Sequence, residues 1–80
     1  MNDAVELQVR QIAADVLDLP LNQVTAQTSP QSVENWDSVQ HLNLVLALEE
    51  AMGVQLEPQD IDQIRSVGAA IDVVRKKRGQ

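Results

Sequence analysis

Eighty residues suffice for one small domain, residues 1–80, with a thin core. With no Cys and a single His, the chain has no disulfide framework, thiol nucleophile or zinc cluster, and one Trp without Phe or Tyr leaves an aliphatic core. The net charge is −6, and four of the six basic residues sit in Arg75-Lys76-Lys77-Arg78, so the remainder is strongly acidic and repels nucleic acid while favouring basic partner patches. No apolar run approaches the ~20 residues that span a bilayer. Met1-Asn2-Asp3-Ala4 lacks the basic-then-apolar layout of a signal peptide, so a cytoplasmic protein without membrane insertion is expected.

From Asp3 to Leu19, Val5, Val9, Ile12, Val16 and Leu19 recur at spacings of four and three, which predicts a helix with one buried stripe, widened by Ala13 and Leu17. Leu7 falls on the opposite side and is expected to be partly exposed. Pro20 disfavours a helical residue before it, so Asp18-Leu19-Pro20 is a stop. Residues 20–36 are rich in Pro, Asn, Thr and Ser and read as a loop anchored by Leu21, Val24 and Val33.

The longest apolar helix follows. Asp37 is a good N-cap and Gln40 stands three residues on, so Asp37-Ser38-Val39-Gln40 reads as a capping box, with Gly53 as the left-handed stop. Trp36 lies just outside the cap, where it can staple onto His41. Stepping about 100° per residue places Leu44, Val45, Leu48 and Met52 on a core flank. Val39, Leu42 and Leu46 form a second stripe that a small domain is not expected to bury completely, and Gln40, Asn43 and Glu50 cluster on the polar side. Pro58, preceded by Glu57 and followed by Asp60, starts a short helix with Ile61 and Ile64 on its apolar edge. Ser66 caps a last helix that buries Val67, Ala70, Ile71 and Val74, with Arg75 to Arg78 complementing its C-terminal dipole. The expected fold is all-α, a four-helix bundle of three longer helices and one short third helix, with a long loop between the first two.

Ser38 stands out chemically. A Ser beside a capping Asp usually only helps to start a helix, but this one is expected to be exposed, backed by a rigid helix and close to free backbone N–H groups that tolerate phosphate. His41, three residues later, lies close to the same face, so spacing alone allows a Ser-His dyad. No acidic residue is placed to orient His41 and no Gly-rich turn offers an oxyanion hole, so the staple role is preferred. Glu49, Glu50, Glu57, Asp60 and Asp62 cluster at the end of the second helix and along the third, without calcium-loop spacing, so no metal is expected.

Asp37-Ser38-Val39, then Leu42, Leu44-Val45-Leu46 and Leu48-Glu49-Glu50, then Gly53-Val54 and Pro58-Gln59-Asp60-Ile61, resemble the acyl carrier protein family. The resemblance spans nearly the whole chain in helix order and is specific over residues 34–64. It implies a non-enzymatic carrier with 4'-phosphopantetheine, taken from coenzyme A, attached covalently to Ser38 beside Asp37. The arm's thiol would hold an acyl or aminoacyl group as a thioester. It also implies a long first loop lying across the bundle, and a docking edge of Val39, Leu42, Leu46, Glu49, Glu50, Glu57 and Asp60 that meets basic pockets on partners.

Expected partners are a phosphopantetheinyl transferase, an acyl-loading ligase or acyltransferase, and a ketosynthase or other acyl-processing enzyme, with the carrier itself a monomer. Val39 replaces the usual Leu, Met52 an aromatic residue, and Gln40 and Asn43 stand where fatty-acid carriers are often acidic. The changes at Gln40 and Asn43 weaken the acidic recognition helix and point to a specialised acyl or polyketide-type pathway. The competing class is an unmodified helical adaptor that docks through the same acidic and apolar edge.

Overall fold

The computed structural model describes residues 3–78; Met1 and Asn2 of the leader reading, Gly79, Gln80 and the side chain of Asp3 lie outside the described residues. Four helices follow in order: α1 (Asp3–Leu17), α2 (Ser38–Met52), the six-residue α3 (Pro58–Gln63) and α4 (Val67–Lys77), with one 3-10 turn at Leu21–Gln23. The described residues contain no strand. Helix α1 is the hub, packing on both α2 and α4, and α3 leans on α4.

Helices α2 and α4 bury the stripes their spacing predicts, whereas in α1 the buried face is centred on Val5, Val9, Ala13 and Leu17, and Ile12, Val16 and Leu19 of the predicted stripe are only partly buried against the core. Val5, Val9, Ala13 and Leu17 of α1 meet Leu44, Val45, Leu48 and Met52 of α2 and Val67, Ala70, Ile71 and Val74 of α4 in one aliphatic core. Ala14 and Val73 join it as well. Leu7 is 44% exposed, as expected from its place off the stripe.

Helix α1 ends two residues earlier than the apolar spacing suggests. Asp18 turns left-handed at φ 57°, and Leu19 donates its N–H back to the Ala14 carbonyl across 2.9 Å. Pro20 prevents continuation, and the carbonyls thus freed find side-chain donors. Asn35 Nδ2 donates to Leu17 O and Gln40 Nε2 to Val16 O, each at 2.9 Å. The capping box is therefore half formed. Asp37 Oδ1 accepts from Gln40 N at 2.9 Å, but the Gln40 side chain turns to α1 instead of to the Asp37 N–H.

The long loop lies against the bundle. Val24 is fully buried, Leu21 and Val33 are half-buried against the core, and Arg10 of α1 holds the segment by donating Nε to Val24 O at 2.9 Å. From the other side, Val67 N and Gly68 N of α4 donate to Thr28 O and Ala26 O. A Cβ on Gly68 would stand 3.0 Å from that Ala26 carbonyl, so any larger residue there would have to push the loop back by a few tenths of an ångström. With the loop pinned at both ends, its last residues deliver Trp36 and Asp37 to the start of α2.

Candidate functional site

Ser38 is the first residue of α2 and is exposed to solvent. Asp37, in extended conformation at φ −100°, ψ −171°, caps the helix and satisfies the N–H of Gln40. The earlier N–H groups of the first turn have no partner within the helix, so positive backbone potential gathers where the Ser38 hydroxyl emerges.

Trp36, buried to 4% exposure, lies edge to edge with the His41 ring, with centroids 6.1 Å apart and planes 25° from parallel. Its Nε1 donates to His41 Nδ1 at 3.0 Å. An indole nitrogen can only donate, so Nδ1 is the acceptor and the imidazole proton sits on Nε2, which donates to the Ile61 carbonyl of α3 at 3.2 Å. Both His41 nitrogens are thereby occupied. His41 ties the loop and α2 to α3 and is not set to take a proton from Ser38.

Beside Ser38 lies an open groove of about 500 Å³ lined by Pro30, Trp36, Asp37, Ser38, His41 and Leu42. Val39, Leu42 and Leu46 are 67%, 55% and 62% exposed, large aliphatic side chains that the fold leaves uncovered along one face of α2. Glu50 and Glu57 are exposed. Glu49 is half-buried, and its Oε2 accepts from Leu56 N at 2.8 Å, bracing the turn after α2.

Asp60 stands elsewhere than the expected docking rim. It is buried to 6% exposure, and its Oδ2 accepts from Glu57 N and pairs with Lys77 Nζ of α4, both at 2.9 Å. The hydrogen bond from Lys77, helped by the one from the Glu57 backbone, holds the Asp60 carboxyl below its ordinary range. The same bond raises the Lys77 ammonium above its own. Lys77 is thus a tether between α4 and α3 as well as a charge near the α4 C-terminus.

The neutral residues of α2 have a structural reason. Asn43 Nδ2 donates to Gln40 Oε1 at 2.9 Å, which aims the Gln40 amide at the last turn of α1. A carboxylate at position 40 would face the negative carbonyl end of that helix and could not donate to it. Among the described residues, no group of three or more His, Asp or Glu converges to hold a metal, and no helix is long and apolar enough to cross a membrane.

Comparison with known proteins agrees with this architecture. Residues 7–74 match the family described as the phosphopantetheine attachment site. The chain is also similar to the solution structure of the holo acyl carrier protein from Geobacter metallireducens, with a TM-score of 0.82 and 26% identity over 96% of this chain and 87% of that one. The chain belongs to the phosphopantetheine-attachment family of carrier proteins. Its prosthetic group is covalently attached 4'-phosphopantetheine, and a carrier of this type is not itself an enzyme. The family implies interaction with phosphopantetheinyl transferases and acyl-processing enzymes in general.

Proposed function

We propose that this chain is an acyl carrier that bears its prosthetic arm on Ser38 and presents the attached acyl or aminoacyl group to successive partners. The observation that carries this reading is the exposed Ser38 hydroxyl at the first position of α2, directly after the Asp37 cap. A transferase would join Ser38 Oγ to the phosphorus of the pantetheine phosphate in coenzyme A. The bond to the other phosphate of the pyrophosphate breaks, adenosine 3',5'-bisphosphate leaves, and the hydroxyl proton is lost. The resulting phosphodiester would lie near the free N–H groups of the first turn. When bound, the arm supplies a thiol for thioester formation, which this Cys-free chain lacks.

Partner docking is assigned to Val39, Leu42 and Leu46, rimmed by Glu50 and Glu57, with Glu49 serving as a brace inside that rim. An exposed aliphatic stripe bordered by carboxylates suits weak, charge-steered encounters with basic pockets. Tethering keeps the cargo at high effective concentration in each complex without tight binding. The acid-poor face at Gln40 and Asn43 favours partners of a specialised acyl or polyketide-type pathway, including its loading ligase or acyltransferase, over those that grip an acidic helix.

The test is the intact mass after incubation with coenzyme A and a broad-specificity phosphopantetheinyl transferase, with Ser38→Ala alongside. We expect a gain of one phosphopantetheine in the parent and none in the variant. Loading of the variant would move the site elsewhere. A folded parent that stays unloaded while a reference carrier is loaded in parallel would favour the unmodified adaptor.

A further inference from the structure

We propose that the groove beside Ser38 is a resting site for the prosthetic arm, holding its pantoate segment against Pro30, Trp36 and Leu42 while the carrier is between partners. This rests on the reading that Ser38 bears the arm. The groove's volume is about 500 Å³, and Ser38 is itself part of its wall, so an arm anchored there begins inside it.

The lining fits that segment chemically. Pro30 comes from the long loop, Trp36 from the loop's end and Leu42 from the second turn of α2. These three are apolar or largely so. His41 adds a ring whose two nitrogens are already bonded to Trp36 and Ile61, which leaves its carbon edge and face for contact. The arm's geminal dimethyl group lies only a few bonds beyond its phosphodiester, within reach of these side chains. Burying methyl groups there is favourable by the ordinary apolar transfer, and tethering removes the cost of a bimolecular encounter.

The route into the bundle is less open. Leu44, Leu48 and Ile64 are 0%, 0% and 2% exposed, so an arm directed between α2 and α3 must first part a packed core. The groove needs no repacking. Because Leu42 also belongs to the exposed stripe on α2, a partner seated on that stripe would meet the resting arm at its edge.

The test uses isotopically labelled carrier loaded with an unlabelled arm, loading being confirmed by intact mass. Filtered nuclear Overhauser spectra should connect the arm's geminal methyls to Trp36 and Leu42, and the Trp36 indole N–H resonance should move between apo and holo protein. Leu42→Ser, at an exposed position, should lose the contact at 42 and weaken that to Trp36, whereas Leu46→Ser, outside the groove, should retain both. A loaded carrier with shifts confined to residues 37–39 and no such contacts overturns the resting site, as do contacts to Leu48 and Ile64 instead. Absence of a mass gain overturns the Ser38 reading itself and the resting site with it.

Discussion

The indole N–H of Trp36 donates to His41 Nδ1 at 3.0 Å, and His41 passes the connection on through Nε2 to the Ile61 carbonyl. Two side chains, one at the end of the long loop and one in α2, thereby join the segment carrying Asp37 and Ser38 to α3. The start of α2 is held from outside the helix as well as by its own cap.

His41→Phe keeps a ring beside Trp36 but leaves the indole N–H and the Ile61 carbonyl without these partners. We expect a loss of about 2 kcal/mol, the scale of two partly buried hydrogen bonds. Urea unfolding followed by Trp36 fluorescence measures it. An unchanged midpoint would mean that water replaces both bonds.

Acid should weaken the bundle through Asp60. Its carboxyl titrates lower in the folded than in the unfolded chain because Lys77 and the Glu57 N–H stabilise the anion. Its stabilising contribution is therefore complete above the ordinary Asp range, near pH 4, and is lost as pH falls through the lower folded value. Lys77 has the opposite sign, its contribution being complete below its ordinary value near 10.5 and lost as pH rises through the higher folded value. Thermal unfolding of the parent and Asp60→Asn across pH should show their difference shrinking in acid. A constant difference would separate the pair from the pH dependence.

Leu42 and Leu48 are six residues apart on α2 with opposite surroundings, 55% and 0% exposed. Leu48→Ala should cost about 3 kcal/mol by opening a core cavity. Leu42→Asp should change stability by no more than about 0.5 kcal/mol while lowering turnover by an acyl-transferring partner. Unfolding of Leu42→Asp would return Leu42 to the core.

Gly53 ends α2 at φ 67°, and a Cβ built there meets nothing within 4 Å. Substitution at this position isolates the backbone cost of the left-handed turn. Gly53→Ala should lower stability by about 1 kcal/mol and Gly53→Asn by less. Equal stability of all three proteins in thermal melts would show that the turn relaxes.

The helices were legible because their determinants are local: the spacing of Val5, Val9 and Ile12 in α1, Pro58 at the start of α3, Ser66 before α4, and Gly53 after α2. The uncovered stripe of Val39, Leu42 and Leu46 could likewise be read from spacing. Polar side chains with a choice of distant partners were less legible. Gln40 has the capping-box spacing yet donates to Val16, twenty-four positions away, and Asp60 looks like a surface acid until α4 brings Lys77 against it. Arg10 similarly reaches Val24 and Leu21 only because the loop returns past α1. Such choices depend on which backbone carbonyls and distant side chains the fold brings within reach, and that is settled only after the helices have packed.

The brevity of α3 has its own consequence. Six residues lie well below the roughly 12–15 needed for an isolated helix to be even marginally stable in water, so α3 borrows its order from Ile61 and Ile64 against the core and from the bonds to His41 and Lys77. Releasing those few links frees α3 without separating α1 from α2 or α4. In amide hydrogen exchange, Ile61 and its neighbours should therefore open at a lower free energy than the middle of α1 or α2, making this wall of the bundle a sub-global unfolding unit.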